Sequence, residues 1–258
     1  MKYSLIVDIG NSQVEVGLFK GDELVNKTRV DTNRIDASFD ESFVGDFLAE
    51  LRIDLKDIEG GIIFSVVPRL TEFIQTKVND ETGIRLDIFD PKVAITKYRA
   101  SIDNPNEVGQ DLIADIIGAI HFYGVPIAIS DLGTVTKNIV IDKDGIFQAV
   151  SFIPGLQTSA ASLLDHTAAL PEITMNEKPT NYVGKNTIDA IKSGIYYSHV
   201  ASIKDFFKRN DDAYGYKFKK VITGGFSLTI EDEFDDEEYI VDQTLVLKGM
   251  HYIYKYMR

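Results

Sequence analysis

Residues 2–7 form a short, mostly apolar run that predicts a buried strand, and residues 13–19 alternate so that Val14, Val16 and Leu18 share one face. Residues 8–12 between them read as a turn, and Gly21-Asp22 turns the chain into a third strand over residues 23–30. The opening is therefore a three-stranded meander. Helical spacing follows over residues 43–51 and 70–78, separated by a short buried strand at 61–66 that ends before Pro68. A turn at Asn104-Pro105 leads into a helix at 111–122, with Ile113, Ile116, Ile117 and Ile120 as its apolar stripe.

The first pattern then returns. Residues 125–130 predict a buried strand, 131–134 a tight turn, 135–141 a strand, Asp144-Gly145 a hairpin turn and 146–152 a third strand. The order of strand, Asp-x-Gly turn, strand, turn and strand thus occurs twice, the mark of an internal duplication. After Pro154-Gly155, helical spacing covers 159–164 and 187–207. A strand at 220–223 runs into Gly224-Gly225, and 245–256 reads as a closing helix. We expect an α/β chain of two lobes packed across a cleft, residues 1–122 and 123–258, with the terminal helix packing back on the first lobe.

The 258 residues, 44% hydrophobic and 26% charged, suffice for such a pair of lobes. No cysteine is present, which excludes disulfides, thiolate nucleophiles and sulfur-ligated zinc. That composition fits a reducing cytoplasm, the expected location. A strand starting almost at Met1 leaves no room for a signal peptide, and no apolar run approaches the ~20 residues of a membrane span, so no membrane partner is expected. The formal charge of -13 argues against nucleic acid, whose binding rests on Lys and Arg neutralising phosphates. Any phosphate site here must rely on backbone N–H groups, helix N-termini and a divalent cation. The acidic run at 231–238 reads as a solvated loop.

The chemistry concentrates in the two turns, Asp8-Ile9-Gly10-Asn11-Ser12 and Asp131-Leu132-Gly133-Thr134. In each, a carboxylate ends a buried strand, glycine offers close backbone approach and dihedrals closed to other residues, and Asn or Thr adds a side-chain hydrogen bond. Carboxylates repel phosphate, so their natural role is to hold a bridging cation, as in phosphoryl transfer. One such turn is a common hairpin device; two in register within repeated meanders point to a polyphosphate. Gly224-Gly225 reads either as a plain strand-to-helix turn or as a backbone platform for a nucleoside. Asp111, with Asp115 one turn further on, is either a first-turn partner of the helix dipole or the acceptor of a substrate hydroxyl proton. His121, His166, His199 and His251 show no ligand spacing and read as structural or surface groups.

With these turns the chain resembles the type III pantothenate kinases, of the acetate and sugar kinase, Hsp70 and actin superfamily. The likeness runs nearly end to end, through Ser65-Val66-Val67-Pro68, Asn104-Pro105-Asn106-Glu107-Val108-Gly109, Pro154-Gly155, Ala169-Leu170-Pro171, Gly184-Lys185-Asn186-Thr187, Thr223-Gly224-Gly225 and Leu247-Lys248-Gly249. The resemblance implies two ribonuclease-H-like lobes with mixed five-stranded sheets flanked by helices. It also implies phosphorylation of pantothenate by ATP, the first step of coenzyme A synthesis, in a homodimer. Carried over by position, Asp8, Ile9, Gly10, Asn11, Ser12, Gln13, Val14 and Glu15 line a phosphate site and Thr134 contacts ATP, while the place of Gly224 and Gly225 after the second repeated unit favours their nucleoside role. Asp111 is the proton acceptor, and Gly109, Gln110, Leu112 and Thr187 join it around pantothenate. Asp131 holds an activating K+ or NH4+, and Asp8 is a candidate Mg2+ ligand through water.

Three positions depart from the family. Leu112 stands where an arginine usually follows Gly-x-Asp, removing a charge-assisted partner for the pantothenate carboxylate. Lys137-Asn138-Ile139 replaces Thr-Phe-Asp after the second turn, and Lys137 either supplies charge to phosphate or caps a diverged strand. Ile102-Asp103 replaces a tyrosine found in some members. These departures leave two alternatives to pantothenate phosphorylation: a kinase for a related acceptor such as pantetheine, or a paralogue that binds nucleotide without turnover. A sugar kinase is disfavoured, since many carry a cysteine-rich zinc loop.

Overall fold

Both meanders form in the computed structural model, which describes residues 2–36, 39, 42–92, 98–104, 107–165 and 173–257. Pro105, Asn106, His166 and Ala169-Leu170-Pro171 lie outside these residues. Two units emerge: Met1–Tyr98 with Asn104–Gly118 and Val246–Arg258, and Arg99–Asp103 with Ala119–Leu245.

In the first unit, β1 (Tyr3–Ile9), β2 (Gln13–Lys20) and β3 (Glu23–Asp31) pair antiparallel, while β4 (Ile58–Ser65) and β5 (Leu86–Ile88) run parallel to β1. The sheet order is β3-β2-β1-β4-β5. Alternation puts Val14, Val16 and Leu18 on the face covered by α1 (Phe43–Glu50) and α2 (Pro68–Thr82), where Val44, Leu48, Ile74 and Val78 complete a core. The other face of β2 meets the chain's last helix, with the Phe19 ring stacked on His251 at 4.2 Å between centroids.

In the second unit, β6 (Arg99–Ala100), β7 (Ile127–Leu132), β8 (Val135–Ile141), β9 (Ile146–Pro154), β10 (Lys219–Thr223) and β11 (Tyr239–Val241) form a sheet of order β11-β10-β7-β8-β9-β6. Apart from β6, this repeats the first sheet: an antiparallel meander with two parallel strands beside its first member. Duplicated ribonuclease-H-like units are the fold of the actin-like ATPases. The helices are α3 (Gln110–Tyr123), α4 (Leu156–Asp165), α5 (Thr187–Tyr214) and α6 (Leu245–Tyr256). Among the described residues no helix is long and apolar enough to cross a membrane.

Several expectations need correction. The second sheet has six strands rather than five, because the two-residue β6 joins β9, too short to leave a periodic signal. Asp8 and Asp131 lie inside their strands rather than in the turns, since antiparallel pairing continues to Ile9–Val14 and Leu132–Thr136. Neither Gly10 nor Gly133 has a positive φ, so neither turn uses left-handed backbone. α3 is buried all round over residues 112–119 rather than along one stripe. α5 continues past Phe207 to Tyr214, where Gly215 at φ 70° ends it.

Candidate active site

In the first unit the sheet's C-terminal edge gathers the first turn and the start of α3. Gly10 donates its N–H to the Gln13 carbonyl (2.9 Å), and the Thr32 hydroxyl donates to the Gly10 carbonyl (2.8 Å), so the turn is held from inside and from β3's end. Asn11 and Ser12 at its tip are exposed, while Ile9 and Val14 point into the core and offer a ligand only backbone. Asp8 and Glu15 are cross-strand partners, which places two carboxylates on one face of the sheet. Glu15 accepts from Lys27 on β3 at 2.7 Å.

Asp111 comes to the same edge by a defined path. Ser65 ends β4 opposite Ile9, and its N–H donates to the Gln110 side chain (3.0 Å), which anchors the first residue of α3 to the strand end beside the turn. Asp111, the next residue, is half-buried, and its Oδ1 accepts from the Leu112 N–H at 2.8 Å. Gln110 thus positions the helix, and Leu112, 4% exposed, belongs to the core. Behind them α6 packs closely: a Cβ on Gly249 would lie 2.0 Å from the Ala114 carbonyl oxygen. Sequence reasoning noted Gly249 only as part of a motif; its role is this helix–helix contact.

In the second unit Asp131 faces Lys137 across the β7–β8 ladder, with Nζ 2.5 Å from Oδ2 and side-chain exposures of 15% and 6% for Lys137 and Asp131. Its Oδ1 lies against Gly224: a Cβ there would come within 2.3 Å of that oxygen and 2.6 Å of the Leu132 N and O, and φ is +89°. A side chain at Gly224 is therefore excluded by packing, whereas a Cβ on Gly225 would meet nothing within 4 Å. Thr223, in register with Asp131, has a buried hydroxyl without a hydrogen-bond partner among the described residues. The exposed Thr134 is fixed by its carbonyl, which accepts from the Gly155 N–H (3.0 Å) and the Thr158 hydroxyl (2.6 Å), setting the first turn of α4 against the second aspartate-glycine bend.

Thr187 opens α5, exposed, beside the N-cap Asn186, whose side chain accepts from the Asp189 N–H at 2.9 Å. Asn138 accepts from the Ser130 hydroxyl and is structural. His199 and His251 are buried, and desolvation lowers both to about 4, so each is neutral at pH 7. Within the acidic run, Glu233 pairs with Lys178 and Glu238 with Lys220. A hollow of about 440 Å³ lined by Lys56, Glu59, Thr82 and Arg85 sits where β4 begins, at the opposite edge from Asp8, and includes none of the candidate residues.

No group of three or more His, Cys, Asp or Glu among the described residues could cage a metal. Magnesium fits nonetheless, because it can bind through a single carboxylate and complete its shell with water and phosphate; Asp8 supplies that carboxylate, while Glu15 opposite it is already paired with Lys27. A free monovalent ion at Asp131 does not fit, because Lys137 already places an ammonium on that carboxylate.

Residues 4–209 match the family model described as type III pantothenate kinase. The chain belongs to the type III pantothenate kinase family. A type III pantothenate kinase of Brevibacillus brevis is 34% identical over 253 residues, covering 97% of this chain and 98% of that one. Its counterpart from Agathobacter rectalis is 31% identical, with 97% and 96% covered. Among solved structures, component A of the (R)-2-hydroxyglutaryl-CoA dehydratase of Acidaminococcus fermentans aligns with TM-score 0.53 at 13% identity, covering 97% and 95%, a likeness of fold alone. As a kinase of this family the chain uses ATP.

Proposed function

We propose that this kinase transfers the γ-phosphoryl group of ATP to the primary hydroxyl of pantothenate, giving 4'-phosphopantothenate and ADP, the first step toward coenzyme A. The family match along most of the chain carries this reading. Asp111 takes the hydroxyl proton as the new O–P bond forms and the bond from Pγ to the bridging oxygen breaks, with the electron pair leaving on ADP. Its placement by the Gln110–Ser65 bond beside the Asp8 turn supports that role. With the Gly10 N–H taken by Gln13, phosphate contact at the first turn falls to Asn11 and Ser12, and at the second to Thr134. Gly225 offers backbone to the nucleoside, and Gly109 and Thr187 contact the acceptor. Asp8, opposite Glu15 across the ladder, would hold a magnesium ion, which would supply positive charge to offset that of the phosphates.

The buried Leu112 favours a second acceptor. With no guanidinium at that position, a pantothenate carboxylate finds no charge-assisted fork there, and pantetheine, which lacks the carboxylate, loses nothing by its absence. Incubating the purified chain with Mg-ATP and each acceptor, with products read by mass spectrometry, tests both readings. Formation of 4'-phosphopantothenate is expected, with kcat lowered roughly 10²–10⁴-fold by Asp111→Asn. If neither acceptor is phosphorylated, the kinase assignment fails. The reading extends to a cytoplasmic homodimer. The exposed Phe152, Tyr182 and Val183 support an association surface on the second unit, and light scattering at a monomeric mass would remove it.

A further inference from the structure

We infer that the Lys137 ammonium is a built-in cation at the second aspartate-glycine bend, replacing a free potassium or ammonium ion, and that Mg-ATP binding by this chain is independent of monovalent cations. The inference rests on the ATP-binding reading above and goes beyond it.

Three observations carry it. Lys137 and Asp131 are directly opposed across an antiparallel ladder, so their side chains leave the sheet on the same face. The contact from Nζ to Oδ2 is 2.5 Å, and both side chains are largely withdrawn from water, where the attraction is little screened. The other carboxylate oxygen lies against Gly224, which leaves no gap for even one additional carbon atom. A free cation bound to Asp131 would have to dislodge the ammonium or sit beside a like charge, and both are unfavourable. The position opposite the first-turn aspartate holds Glu15 instead, so the fold itself does not demand lysine there. A lysine carries its charge on a covalent tether and loses no translational freedom when nucleotide binds, unlike a recruited ion.

The test is the affinity of the full-length chain for Mg-ATP, measured calorimetrically in KCl, NH4Cl and choline chloride at equal ionic strength. Wild type is expected to bind equally in all three salts. Lys137→Met, checked for folding by circular dichroism, should bind at least about tenfold more weakly in choline and recover in KCl or NH4Cl, while Lys137→Arg should stay indifferent to the salt. Wild-type affinity that falls about tenfold when potassium is exchanged for choline overturns the inference, as does a Lys137→Met chain that binds like wild type in every salt. The wild-type salt series decides the matter even if the methionine variant does not fold. Equal binding in all three salts together with unphosphorylated pantothenate would uphold the cation assignment and fail the acceptor assignment alone.

Discussion

The two aspartate-glycine bends share a topology and differ in what stands across the ladder from the aspartate. Asp8 faces Glu15, whose charge is answered from the next strand by Lys27; Asp131 faces Lys137 directly. In the first bend the lysine therefore sits one strand away on the opposing acid, and in the second it sits on the aspartate itself. They also differ in packing. The turn glycines themselves each have one near neighbour, a Cβ on Gly10 meeting the Gln13 carbonyl oxygen at 3.1 Å and one on Gly133 that of Val135 at 3.6 Å, but the second bend also has Gly224 pressed against Asp131 and Leu132. A duplicated fold thus repeats its backbone and lets single cross-strand residues choose the charge: an acid faces the aspartate of the first bend and a lysine that of the second.

Acid should strain both halves alike, since among the described residues each holds one buried histidine, His251 on Phe19 and His199 at 2.9 Å from the Thr136 hydroxyl. Burial lowers both to about 4, so between the unfolded value of 6.5 and about 4 the unfolded chain binds protons that the folded chain does not. Stability should therefore be intact above pH 6.5 and fall as pH drops toward 4, by up to about 3 kcal/mol per histidine. Urea titrations from pH 7 to 4 measure this, and His251→Phe should remove only the first unit's share. Next in size, Gly224→Ala should cost about 2–3 kcal/mol, because its φ and the crowding on Leu132 both oppose a Cβ, and it should weaken ATP binding by displacing Asp131. Gly10→Ala, with a single contact at 3.1 Å and no positive φ, should cost less, about 1 kcal/mol; equal costs in thermal melts would erase the difference between the two glycines. Smallest of all, Lys27→Met removes a partly buried surface pair and should shift stability by less than about 1 kcal/mol. A larger loss would mean that the first bend, too, depends on a fixed lysine.

Features set by neighbours in sequence were legible without coordinates. The alternation of Val14, Val16 and Leu18, the hairpins at Gly21-Asp22 and Asp144-Gly145, and the repeated meander follow from side-chain period and turn chemistry acting over a few residues. β5, β6 and β11 were not legible, because two or three residues carry no period and become strands only where a sheet edge accepts them. That the Gln110 side-chain oxygen accepts from Ser65, 45 positions away, was not legible either, because nothing local links the two.

By itself the sequence determined the two bends, their family and the residue types available for phosphate chemistry, since these depend on local order along the chain. Only the tertiary structure decided that Lys137 closes on Asp131, that Gly224 seals the other side of that carboxylate and that Gly249 lets α6 settle against the helix bearing Asp111. Each of these depends on register or close approach between segments distant in sequence or on opposing strands, where tenths of an ångström separate contact from clash.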